Sequence, residues 1–401
     1  RAKYRDDLTE DEITDSLDQA CYDRTKAIED RFDVKFTTIE GTGNGKEFTK
    51  LSDFAAAGEY AVDLVIPNGN GYGKAGTAII NGLVLDWDTL PYVDLTKPWW
   101  SSELIDSLRV SGKAYAAFGD INVTRAFYGA MIFNKSLFDD VQEAYPYETV
   151  QSGKWTYDEL LRLNAKATKD LDGNGTFDEN DRYGLLANES FLGNFQMYWG
   201  ASEVVKLDKN GQMSLDVPAE KIQTIADCVL SMLDTGNVYY FAKSEVDKPF
   251  AMFASSQGMF YMFDFASQHA KLRSIDAFDY GVLPMPKPDE SQEDYCSGVT
   301  SSMFMFSMLK DAERTGIITE ALASSTRKEV YDVFVDSMLY GKIAQDRRDV
   351  DMINIIYAHP LMEAVRLFSP KQDLMNLVKS CVTSRTNTVQ SKIAELKPAV
   401  P

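Results

Sequence analysis

The chain predicts an α/β fold divided between two domains, and three observations carry that reading. Its 401 residues exceed what a single hydrophobic core serves, so length alone predicts two domains or three. From residue 8 to residue 66, helical and strand-like patterns alternate, the rhythm of a largely parallel sheet covered by helices. Between Gly112 and Lys135, two apolar runs flank a short polar break at Gly119, Asp120 and Asn122. The second run, Phe127–Phe133, carries no charge, as expected of a strand buried on both faces. Two such strands joined by a polar break fit a chain passing from one domain to the other. Asp120 and Asn122 would then face whatever lies between the domains.

Composition narrows the function classes. The chain is 44% hydrophobic and 12% aromatic, enough for sizeable cores. Its 41 Lys plus Arg stand against 61 Asp plus Glu, a net charge of −20. Such a field repels phosphate backbones, which argues against nucleic acid and anionic membranes as partners. Cys21, Cys228, Cys296 and Cys381 form no CxxC pair, so no zinc or redox motif is indicated. Cys21 and Cys228 fall in helical patterns and read as small core residues. There is no apolar run of transmembrane length. The chain opens at Arg1 without a signal sequence, and a targeting segment ahead of it is expected to have been trimmed.

In order, residues 8–31 read as a helix, with Ile13, Leu17, Ala20, Cys21 and Ile28 at helical spacing. Phe32–Glu40 alternates and is β-branched, which predicts a strand. A short helix, 48–58, ends at Gly58, and Asp63–Ile66 is a short buried strand. The Gly-rich loop 67–74 is not a phosphate loop, because Ala75 follows Lys74 and the glycine spacing is wrong. It lies at the carboxyl end of a strand, where open α/β sheets bind ligands. Asp86–Trp100 is irregular and ends in paired tryptophans, which serve either as sugar-stacking platforms or as packing on their own domain. Thr156 with Glu159 predicts a capping box for the following helix.

Residues 170–181 form the sharpest motif. The run matches the twelve-residue calcium loop D-x-[DN]-x-[DN]-G, with Asp in place of Glu at position twelve. Calcium takes six to eight hard oxygens. Asp170, Asp172 and Asn174 offer side chains, Thr176 a carbonyl, Asp178 a direct or water-mediated ligand, and Asp181 closes the shell. Gly175 permits the sharp turn. A single loop of this kind points to a structural Ca2+ rather than a sensor. The bland alternative is an Asx-rich turn.

Beyond it, Tyr183–Ala187 reads as a strand, 188–200 as an aromatic-rich helix, 219–234 as a helix, and 250–263 as a helix and then a strand. Residues 279–287 form a further strand, 303–306 a strand, 310–323 a helix, and 372–396 one amphipathic helix.

These pieces, in this order, resemble the solute-binding proteins of ABC importers, the extracellular family that includes maltose-binding protein. The resemblance rests on Gly112–Tyr115 and Phe133–Phe138 at the first crossing, and on Asp63–Ile66 with the loop and helix after it. It rests too on Gly153–Leu161, Gly258–Met262 and the return crossing Asp279–Lys287. Within the family, residues 90–100, 313–322 and 342–356 resemble signatures of a Gram-positive lipoprotein subgroup. The resemblance implies a type II periplasmic-binding-protein-like fold with discontinuous lobes. Residues 1–122 and 285–312 would make the first lobe, and 123–284 and 313–401 the second, which carries the calcium-type loop. It implies an extracellular protein anchored through an N-terminal lipid, monomeric, with a membrane permease as partner. In maltose-binding protein the loop matching 67–74 contacts sugar, which makes Asn68, Asn70 and Tyr72 candidates. The helix after Tyr183–Ala187 faces the family's cleft, which adds Phe191, Tyr198 and Trp199 as flanking rings and Asn188, Glu189 and Asn194 as polar contacts, although Phe191, Phe195 and Trp199 share one helix face and a shared face reads as core. The stretch after Met262 brings Asp264 toward the same cleft.

The expected function is capture of a small solute by hinge closure, with a mono- or oligosaccharide favoured by the wealth of Tyr and Phe and by Asn and Asp near the crossings, a composition also compatible with a peptide or another polar solute. Two rival classes find less support in the sequence. A glycoside-active enzyme would need two carboxylates across a cleft, and no spacing marks Asp120, Glu189 or Asp264 as a pair. Two histidines and no HExxH or GxSxG give metal or nucleophile catalysis little support. A calcium-dependent adhesion module would rest on residues 170–181 alone.

Overall fold

A computed structural model of the chain describes residues 9–39, 41, 45–67, 74–125, 129–194, 200, 204–208, 213–242, 245, 247–264, 271–272, 274–298, 302–362, 374 and 376–396. Its strands are β1 (Leu64–Val65), β2 (Gly129–Asn134), β3 (Tyr183–Asn188), β4 (Val205–Leu207), β5 (Met213–Leu215), β6 (Val238–Phe241), β7 (Gly258–Asp264), β8 (Tyr280–Pro284), β9 (Ser297–Gly298), β10 (Phe304–Met305) and β11 (Pro360–Leu361).

The uncharged run after the polar break becomes β2, buried at every position. It lies inside a five-stranded sheet of order β6-β3-β7-β2-β8. Its side chains alternate: Met131 and Phe133 enter one core, Ala130 and Ile132 another. Burial on both faces is why the sequence shows no polar alternation there. The sheet is mixed, and β1, the described strand from the stretch 8–66 where a largely parallel sheet is expected, pairs antiparallel with β10. β3 runs parallel to β6 and β7, whereas β2 runs antiparallel to both β7 and β8. The direction flips because β2 enters from the crossing segment rather than through a βα unit.

A separate core is built from the first part of the chain. Phe48, Leu51, Trp87, Trp100, Ile105 and Phe118 pack there with Met303–Phe306. It also takes in Leu322, Ala323 and Met362, which lie past the expected lobe boundary at 312. The helix Ser16–Phe32 contributes to both regions: Leu17 and Cys21 join the core behind the large sheet, while Ile28 joins the first core.

Several local expectations are corrected. Residues 34–39 are in no described strand, so Phe32–Glu40 is not a ladder member there. Ala114 and Ala116–Phe118 are buried, with Tyr115 partly so, but the run is held by single bridges, such as Ala117 with Met303, rather than by a continuous ladder. The polar break itself is a 3-10 turn, Asp120–Arg125, kinked at Asn122. Thr156 stands at the N-cap, but its side chain makes no capping bond. The Tyr157 N–H instead donates to Lys287 O at 3.0 Å, so one orphan donor of the helix is met by the return crossing. The single helix expected over 372–396 is two, Leu377–Ser384 and Val389–Leu396. Arg385 turns left-handed between them, and Asn387 Oδ1 accepts from Val389 N at 3.2 Å to start the second. All four cysteines are free thiols; Cys228 is half-buried and the other three are buried.

Residues 90–100 and 313–322 meet in space. Glu320, on the helix Ala312–Ser325, accepts from Trp99 Nε1 at 2.9 Å and from Trp100 Nε1 at 3.0 Å. Tyr92 Oη donates to Glu313 at 2.8 Å. A Cβ on Gly316 would lie 1.9 Å from Pro91 O, so only glycine allows this helix so close to the proline backbone. The tryptophan pair is therefore scaffold. Trp100 packs edge-on against Trp87 with ring centroids 5.6 Å apart.

Candidate functional site

The crossing from the first core to the large sheet positions the central candidate. Asp120 N donates to Trp99 O at 2.9 Å, which ties the crossing to the tryptophan segment. A Cβ on Gly119 would lie 2.6 Å from Trp99 O, so the residue before Asp120 must be glycine for the two backbones to meet. Asp120 is only 9% exposed and Asn122 only 3%. Asp120 Oδ2 has no hydrogen-bond partner among the described residues. Among the described residues its cation is Arg327, whose Nη1 lies 3.6 Å away, an ion-pair distance and longer than a hydrogen bond. Burial pushes the Asp120 carboxyl up from the usual 3.8 to about 6, and Arg327 limits the rise.

Arg327 was not singled out in the sequence. It follows the helix Ala312–Ser325, in a stretch whose hydrogen bonds are of the wider π type, Thr326–Val330. Its guanidinium lies over the Tyr331 ring, 4.0 Å from the centroid, and its side chain is 44% exposed. The usable signal was an Arg and a Tyr four residues apart just past a predicted helix, which is common enough to point nowhere by itself. Directly beside it, the buried Arg24 donates from Nη1 to Thr326 Oγ1 at 2.6 Å, fixing the start of the π stretch.

The other expected positions are placed unevenly. Asn68, Asn70, Tyr72, Tyr198 and Trp199 lie outside the described residues. Asp264 ends β7 opposite Gly129, beside the crossing. Glu189 is half-buried and pairs with Lys379 at 3.2 Å, on the helix Leu377–Ser384. Phe191 is 3% exposed inside the core on one face of the sheet, so it is a packing residue, not a ring flanking a ligand. Asn188 is buried too, and its Oδ1 accepts from Phe191 N at 3.0 Å.

The loop 170–181 folds on its own carboxylates. Asp170 accepts from Gly175 N at 2.8 Å and from Gly173 N at 2.6 Å. The Gly175 N–H foremost holds the Asp170 carboxyl below its ordinary range. Asp181 is fully buried, with Oδ1 accepting from Leu171 N at 2.8 Å and Oδ2 from Asp178 N at 2.9 Å. Asn174 Oδ1 accepts from Thr176 N at 2.6 Å, and Asp178 Oδ1 from Asn180 N at 2.8 Å. Asp170, Asp172 and Asp181 each offer an oxygen, all within 4.8 Å of one another. Each oxygen retains lone pairs, so the arrangement can accept a hard cation.

No protein family profile matches the chain, and no curated protein does. Solved structures do. The chain is similar to an extracellular solute-binding protein from Staphylococcus aureus in complex with maltose, at 14% identity and TM-score 0.63, covering 97% of each chain. It is similar to the ABC substrate-binding protein Lmo0181 from Listeria monocytogenes in complex with cycloalternan, at 13% identity and TM-score 0.62, covering 95% of each. It is similar as well to UgpB from Mycobacterium tuberculosis in complex with glycerophosphocholine, at 14% identity and TM-score 0.64, covering 94% of each. At these identities the likeness establishes the fold: a two-lobed, type II periplasmic-binding-protein-like α/β architecture over nearly the whole chain. No helix among the described residues is long and apolar enough to cross a membrane.

Proposed function

We propose that this chain is the substrate-binding component of an ABC importer, capturing a small carbohydrate, a mono- or oligosaccharide, between its lobes. The observation that carries the reading is the buried Asp120 carboxylate at the first crossing, with one oxygen left unpartnered among the described residues. An unpaired buried acceptor is costly, and a hydroxyl donor from a ligand relieves that cost. A ligand that touches both lobes only when they are closed shifts the hinge equilibrium by its differential affinity. Asn122, Asn68, Asn70 and Tyr72 are assigned to the same site from the first lobe and the crossing, and Glu189, Tyr198, Trp199 and Asp264 from the second.

In this reading the protein works outside the cell, held by an N-terminal lipid, as a monomer that delivers its ligand to a membrane permease. It binds without turning the ligand over. The loop 170–181 holds a structural Ca2+ through Asp170, Asp172, Asn174, Thr176, Asp178 and Asp181. The test is a thermal-shift screen of sugars, peptides and glycerophosphocholine, followed by calorimetric titration, since a closing ligand stabilises by mass action. A melting rise with saccharides alone supports the reading. A rise only with peptides or glycerophosphocholine overturns the carbohydrate assignment, and hydrolysis of a bound saccharide overturns the non-enzymatic one.

A further inference from the structure

Resting on the carbohydrate reading, we propose that Arg327, held by Tyr331, is a specificity residue that selects a neutral polyhydroxyl ligand by sharing one hydroxyl with Asp120. The gap between Asp120 Oδ2 and Arg327 Nη1 is 3.6 Å. That is too long for a direct hydrogen bond, yet an oxygen placed beside the pair can lie within hydrogen-bond distance of both. Oδ2 accepts only, and the guanidinium donates only. The group that satisfies both at once is one that donates and accepts, and a hydroxyl does so with a single oxygen.

The pair also discriminates by charge. A phosphodiester offers acceptors to Arg327 but no proton to Oδ2, and its charge repels Asp120. An ammonium meets Asp120 but is repelled by Arg327. A sugar hydroxyl carries no charge and answers each partner. Tyr331 supplies the rigidity, because its ring supports the guanidinium at 4.0 Å from the centroid, a contact with the ring face that does not use the guanidinium's in-plane N–H donors. At 44% exposure Arg327 can be reached from solvent, while Asp120 forms the buried end of the pair.

The experiment is calorimetric titration of maltose, maltotetraose, cycloalternan and glycerophosphocholine into wild type, Arg327→Ala, Arg327→Lys and Tyr331→Ala, with a melt of each variant. Wild type is expected to bind a saccharide and not glycerophosphocholine. Arg327→Ala should weaken that saccharide at least tenfold while melting within a few degrees of wild type. Arg327→Lys keeps the charge but not the fork and should fall between. Combining Asp120→Asn with Arg327→Ala should cost less than the sum of the two, because both changes remove the same shared hydroxyl contact. Saccharide affinity unchanged in Arg327→Ala overturns this inference and leaves the carbohydrate reading standing. So does a variant that melts lower yet binds as wild type, the mark of a purely structural arginine. Preferential binding of glycerophosphocholine overturns the inference. If wild type binds no saccharide, the carbohydrate reading fails and takes this one with it. Should Arg327→Ala not fold, Arg327→Lys and Tyr331→Ala decide by the same criteria.

Discussion

Replacing Asp120 by Asn should stabilise the protein and damage its binding at once. Burial raises the Asp120 carboxyl from 3.8 to about 6. At about 1.4 kcal/mol per unit, keeping this group ionised in the folded protein at neutral pH costs about 3 kcal/mol. The sign follows from proton linkage. The folded state binds this proton more tightly than the unfolded chain, so the penalty is fully present above about pH 6. It is relieved as pH falls from about 6 toward 4. Asn has the same shape and no charge. Arg327, left alone, is half-exposed and stays hydrated. Asp120→Asn should therefore be more stable than wild type by up to about 3 kcal/mol at pH 7.5, an advantage that shrinks below pH 6 and is gone near pH 4. Ligand affinity should move the other way. Exchanging a charged acceptor for a neutral one costs about 1–3 kcal/mol, roughly tenfold to a hundredfold in Kd. Wild-type affinity should fall as pH drops through 6, while the variant's stays flat. Urea melts between pH 4.5 and 8, beside titration with the saccharide found in the screen, measure both. A variant less stable than wild type at pH 7.5, with a pH-independent difference and intact affinity, would show that the carboxylate is neither penalised nor used.

The remaining predictions concern the scaffold. Chelator should lower the melting temperature, and Asp170→Ala should abolish that response; calcium at a hundredfold over its Kd stabilises by about 2.7 kcal/mol. An identical melt with and without chelator removes calcium from the account. Glu320→Ala strips the partner from both Trp99 and Trp100 indoles and should cost about 2–4 kcal/mol in a denaturant melt, with saccharide affinity little changed. Asp349, fully buried, accepts from Tyr147 Oη at 2.7 Å, Val282 N at 2.8 Å, Gln345 N at 2.9 Å and Asp346 N at 3.1 Å. Asp349→Ala leaves those donors buried and unmet and should cost about 3 kcal/mol or more; a loss under about 1 kcal/mol would mean water replaces the carboxylate.

What could be read along the chain was whatever short-range chemistry decides. The helix Ala219–Asp234 announced itself because Ile222, Ile225, Ala226 and Val229 recur at helical spacing and all enter one core. β2 was legible because burial on both faces removes every charge from a run of that length. The loop 170–181 was legible because its turns are closed by its own Asx side chains within a few residues. The order of the crossing segments, matched piece by piece, pointed to the two-lobed architecture.

Tertiary structure decided the rest, because the partners lie far apart in sequence. Glu320 meets Trp100 across 220 residues, and both halves of that contact were visible without any sign that they touch. Phe191 reads either as a ring for a ligand or, on the face it shares with Phe195 and Trp199, as core, and only the packing decides for core. Residues 34–39 alternate like a strand, but no described neighbour pairs with them, and a strand needs a partner for its backbone. The Asp120–Arg327 pair was half seen. A polar break between apolar runs exposes its own Asp to a reader of the sequence, but the arginine arrives from a helix two hundred residues later. A contact between distant residues is set by how the elements pack, and neither residue type nor spacing records it.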